Sequence, residues 1–159
     1  MTEKLITIQG TAPKYDEAVL KQHQAERHAE YRTSRESYRH VFGELPYDFL
    51  TKIIELSNEG YELSSKYPIT FATMAYHAYM LKPAQQITAD LEALNVQVKQ
   101  SYVAWLESER DRYRKLLTAQ LLQAAELKEA EKVEKAKAKL LADIQKEVDA
   151  TFSDLVIPG

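Results

Sequence analysis

The chain has 159 residues, 45% of them hydrophobic and 28% charged, with a net charge of −3 and no cysteine. That is about one domain of ordinary soluble composition, and it excludes a disulfide framework, thiolate metal sites and cysteine nucleophiles. It also excludes a globally basic nucleic-acid binder, so any such binding has to come from local patches.

In chain order, KLITIQG alternates weakly and stops at Gly10, which predicts a short N-terminal strand or extended arm. Pro13 suits a first helical turn, and nothing breaks a helix from there to Phe42, with Gly43 as its stop. A second helix is predicted from Pro46 to Asn58, where Phe49, Leu50, Ile53 and Ile54 recur at helical spacing before Gly60. YELSSKYPITF reads equally as two short strands or a loop. TFATMAYHAYMLK predicts a third helix ending near Pro83, with His77 as a core histidine among Met74, Tyr76, Tyr79 and Met80.

Residues 84–157 contain neither glycine nor proline. Their apolar residues, among them Leu91, Leu94, Val98, Leu116, Leu140, Ile144 and Val148, recur in threes and fours, which is helical periodicity. One unbroken helix of about 65 of these residues would be about 97 Å long. It has either to fold back as a hairpin near residues 120–126 or to pack on a second subunit, and self-association is the expectation. The predicted fold is therefore mainly α: a short strand or arm, several helices, and a very long C-terminal helix or hairpin forming a coiled-coil-like homo-oligomer. Residues 1–83 form the N-terminal helical region and 84–159 the oligomerisation region.

The arginines carry the functional signal. Seven of the 21 basic residues are arginine, and they occupy two places only. Arg27, Arg32, Arg35 and Arg39 lie with Tyr31 and Tyr38; Arg110, Arg112 and Arg114 lie with Trp105 and Tyr113. Arginine offers a planar fork of donors that matches phosphate, and aromatic rings offer faces on which unpaired bases stack. On a helix turning about 100° per residue, Arg27, Tyr31, Arg35 and Tyr38 share one face. Three of the four histidines, His23, His28 and His40, lie in the same region and add positive charge at mildly acidic pH. Interleaved Glu26, Glu30, Glu36, Glu107, Glu109 and Asp111 supply the competing account, in which ion pairs lace a solvated helix.

Catalysis has less support. No phosphate-cradling glycine motif occurs, Glu36 and His40 alone make a weak metal pair, and no context marks a nucleophile. The expectation is a non-enzymatic, cytoplasmic accessory protein without cofactor or metal, off the membrane. It would bind nucleic acid, single-stranded rather than duplex, through both arginine clusters. The alternative is an adaptor, inhibitor or assembly chaperone that binds a protein partner through its polar helices.

Overall fold

The computed structural model describes residues 4–159. Its elements are α1 (Glu17–Thr33), a single 3-10 turn (Arg35–Ser37), β1 (Tyr38–Gly43), α2 (Pro46–Asn58), β2 (Glu62–Leu63), β3 (Thr70–Ala72), β4 (Ala75–Leu81) and α3 (Ala84–Thr151). The expectation of a mainly α fold is thus corrected: a four-stranded antiparallel sheet stands where helix was predicted at 38–42 and 70–82. The segment KLITIQG, residues 4–10, expected as a short strand or extended arm, is described throughout and forms no strand. The chain divides into two compact units, Lys14–Glu107 and the segment up to Pro13 with Ser108–Gly159.

In the first unit, Asp16 caps α1, its Oδ1 accepting from the Ala18 amide at 2.9 Å. At the other end, Thr33 Oγ1 donates back to the Ala29 carbonyl and Ser34 is extended (φ −97°, ψ 177°). Two hydroxyl residues in succession offer the backbone alternatives to the helix, and the helix stops. The aromatic and β-branched run from Tyr38 to Phe42 then continues as a strand.

β4 is the central strand. β1 pairs along the whole of one side of it, from Tyr38↔Leu81 to Gly43↔Tyr76. β2 and β3 share the other side, at Leu81–Met80 and His77–Ala75. β3 and β4 join through the two-residue turn Thr73–Met74, where Met74 takes φ +58°.

One face of this sheet carries α2. Val41, Phe49, Leu56, Ala78 and Met80 form the buried core, with Ile53, Tyr61, Ile69 and Tyr76 against it. Pro46 opens α2, and the helix comes so close to β1 that a Cβ on Gly43 would lie 2.7 Å from the Phe49 Cβ. Lys52 reaches from α2 to the rim of the sheet, its Nζ donating to the Phe42 carbonyl at 2.8 Å.

α1 and the start of α3 pack antiparallel. Leu20 and Tyr31 of α1 are buried, as are Leu91 and Tyr102 of α3. Gln24 Nε2 donates to the Asn95 carbonyl, His28 meets the Asn95 side chain at 2.6 Å, and Tyr31 reaches Asp90.

The second unit is built on the rest of α3, which is one uninterrupted helix of 68 residues rather than a hairpin. The N-terminal segment lies along it. The Ile6 amide donates to Gln123 Oε1 at 2.7 Å, Gln123 Nε2 donates to the Lys4 carbonyl, and the Tyr113 hydroxyl donates to the Gln9 carbonyl. Every residue from Ala124 onward is exposed. No helix among the described residues is long and apolar enough to cross a membrane.

Candidate nucleic-acid interface

The register of β1 on β4 decides which side chains share a face. Cross-strand partners project to the same side, so Tyr38, His40 and Phe42 emerge with Leu81, Tyr79 and His77, opposite the face that α2 covers. These rings form a continuous row. Phe42 lies 4.9 Å from His77, His77 stacks on His40 at 5.0 Å, and His40 lies 5.0 Å from Tyr79. The loop before β3 adds Tyr67, which bridges Tyr79 at 5.4 Å and Tyr38 at 5.0 Å. A hydrogen bond of 2.8 Å between His40 Nε2 and His77 Nδ1 holds the middle of the row. His40 and Phe42 are exposed, while the other rings are half-buried against one another.

Two cations sit at the tyrosine end. The 3-10 turn carries Arg35 so that its guanidinium carbon lies 4.9 Å from the Tyr79 ring and 5.0 Å from the Tyr67 ring. Among the described residues the guanidinium makes one hydrogen bond, to the Tyr79 hydroxyl, long at 3.4 Å, which leaves most of its five donors for an anion. The Lys66 ammonium lies over Tyr67 and Tyr38 at 5.6 and 5.9 Å. Cations over aromatic faces are attracted by the ring quadrupole, which fixes their position without neutralising them. A flat surface of rings therefore ends in two placed positive charges.

The other residues singled out from the sequence lie elsewhere or are already engaged. Arg27 is held by Glu36 at 2.7 Å and Glu30 at 3.3 Å. Tyr31 is buried (3% exposed), and its hydroxyl donates to Asp90 at 2.5 Å. Burial, followed by the nearby Asp90 carboxylate, pushes the Tyr31 phenol far above its ordinary range. Burial also acts to raise Asp90, but hydrogen bonds from Lys82 (2.8 Å), Tyr31 and Gln86 outweigh it and hold the carboxyl below the usual range. Arg32 is exposed and makes no ion pair among the described residues. Arg39 points to the α2 side of the sheet, 5.7 Å from the Tyr61 ring.

The second arginine cluster is divided. Trp105 belongs to the first unit, half-exposed and stacked on Tyr102 at 6.3 Å. Arg110, Arg112, Tyr113 and Arg114 belong to the second. There Arg112 makes two hydrogen bonds to Glu109, holding that carboxyl below its usual range, and lies 4.9 Å over Tyr113. Arg110 and Arg114 are exposed and carry no ion pair among the described residues.

Of the residues marked in the sequence, the sheet face brings together Arg35 and Tyr38. It adds Phe42, Lys66, Tyr67, His77 and Tyr79, which were not marked as site residues, and His40, which was noted for its charge and as half of a weak metal pair with Glu36. The expected core histidine His77 instead lies half-exposed in the ring row. The local signal for these is slight: His77 and Tyr79 alternate with the apolar Ala78 and Met80.

No protein-family model, curated protein or solved structure matches this chain.

Proposed function

We propose that this is a non-enzymatic, cytoplasmic protein that binds single-stranded nucleic acid across the open face of its sheet. Bases stack on Phe42, His77 and His40, and the adjoining phosphates meet Arg35 and Lys66. The observation that carries this reading is the unbroken row of rings ending in two cations on a sheet face that no helix covers. Stacking on an aromatic side chain contributes about 1–3 kcal/mol per base and tolerates any sequence. Duplex binds more weakly, because its bases are already stacked.

The test is fluorescence anisotropy with single-stranded and duplex oligonucleotides at several salt concentrations. Phe42→Ala should weaken single-strand binding about tenfold and leave the salt slope unchanged, whereas Arg35→Ala should flatten the slope by about 0.7. The proposal fails if no probe binds below about 100 μM at low salt, where phosphate contacts are strongest. It fails equally if duplex and single strand bind alike and Phe42→Ala binds normally.

A second reading, a protein partner, is supported by α2. Its outward side exposes Tyr47, Leu50 and Ile54 at 81, 54 and 61%, an apolar stripe at helical spacing. Loss of a co-purifying protein on Leu50→Lys, with oligonucleotide binding absent, would favour it.

A further inference from the structure

The distal part of α3 has an apolar side with nothing on it. Val133, Leu140, Leu141, Ile144, Val148 and Phe152 are 45–76% exposed. At about 100° per residue the first five fall within roughly a third of the helix circumference. Three charges interrupt this stripe. Lys137 lies at its centre, Glu134 at one margin and Glu147 at the other. A charge in the middle of an apolar seam opposes association unless an opposite charge meets it.

The spacing of Lys137 and Glu147 about Leu140 and Ile144 selects the arrangement. We propose that this face binds the same face of a second copy, the two helices running antiparallel about a two-fold axis near Ala142, with Lys137 of each opposite Glu147 of the other. In that register Leu140 packs against Ile144 twice, so the most apolar part of the stripe lies at the centre and the two ion pairs flank it. A parallel pair in register sets Lys137 against Lys137 and Glu147 against Glu147, and like charges held together are costly. A parallel stagger that brings Lys137 to Glu147 is not closed and would propagate. The antiparallel pair through Glu147, unlike one through Glu134, keeps Leu140 and Ile144 at its centre, and it ends at two copies. The six side chains of both copies cover on the order of 1,000 Å², about the lower limit for a specific interface. The dimer is correspondingly weak, forming at micromolar concentration.

The experiment uses the full chain, with sedimentation equilibrium for mass and circular dichroism for helicity. The wild type should reach a dimer and stop there. Lys137→Glu and Glu147→Lys should each weaken it by about tenfold or more, because each sets like charges together twice. The double exchange K137E/E147K should regain most of the affinity, since it restores two opposite pairs in swapped positions. Ala142→Glu, on the opposite side of the helix, should leave the dimer intact. A monomer at about 100 μM with full helicity overturns the proposal, as does a double variant no tighter than the single ones, assembly beyond two copies, or disruption by Ala142→Glu. If a single variant loses helicity, recovery of affinity in the double variant decides alone. None of these outcomes depends on nucleic-acid binding.

Discussion

Replacing Asp90 by alanine removes the acceptor shared by three donors. Tyr31 comes from α1, Lys82 follows β4, and Gln86 lies one turn earlier on α3. Tyr31 is 3% exposed, and its hydroxyl has no other partner among the described residues, so the phenol would be left buried and unsatisfied. That alone costs about 1–3 kcal/mol. The Lys82–Asp90 pair, with both side chains 23% exposed, adds about 1 kcal/mol. The expected loss is about 3 kcal/mol, or a fall of about 1.5 M in the urea midpoint at a slope of about 2 kcal/mol per M. Asp90→Asn, which keeps an acceptor for Tyr31, should lose about 1 kcal/mol. The single tryptophan, Trp105, stacks on Tyr102 in the same unit, so its fluorescence reports the transition. The Asp90 carboxyl is held below its unfolded value. Its stabilisation is therefore complete above the unfolded value, about pH 4, and is lost as pH falls through the lowered folded one. The gap between wild type and Asp90→Ala should stay constant from pH 8 to about pH 5 and narrow in acid. A loss below about 0.5 kcal/mol at pH 7, or a gap that persists unchanged at about pH 3, would refute this account.

Gly43→Ala should destabilise the sheet unit by about 1–3 kcal/mol in urea titration, because the new methyl meets Phe49 Cβ and its backbone within 2.9 Å. Met74→Gly should raise stability by about 0.5–1 kcal/mol, since Met74 holds a left-handed conformation that glycine adopts freely; an unchanged or lower midpoint would contradict it. Gln123→Ala removes both hydrogen bonds to the N-terminal segment, and the Ile6 amide should lose its protection against hydrogen exchange while α3 keeps its own.

Local signals carried the helices well. α2 runs from Pro46 to Asn58, as its apolar spacing and bounding Pro46 and Gly60 predict. The helix over 84–151 is one of the two forms that the lack of breakers allowed, the other being a hairpin. The sheet was hidden because its cause is non-local. In ATMAYHAYML, alanine, methionine and leucine favour helix, and the alternation of Tyr76, Ala78 and Met80 gains its meaning only when β1 lies alongside. Misreading β1 as the end of α1 then displaced the site. On a helix Tyr31 and Tyr38 would share a face, yet the turn at Ser34 sends one into the helix packing and the other onto the sheet. Arg35 was found because its chemistry is distinctive, whereas Tyr67 and Lys66 were missed in a stretch without periodicity.

The Lys52 contact to the Phe42 carbonyl bears on the open edge of the sheet. β1 lies at the end of the sheet, and a six-residue strand with a free outer side is a template on which another chain can extend the ladder. An ammonium on one outward carbonyl occupies an acceptor that such a strand would need. It also brings a charge to the rim that an incoming apolar strand would have to bury. The same lysine that ties α2 to the sheet thus sets a charge against strand addition at the edge nearest the exposed Phe42 ring.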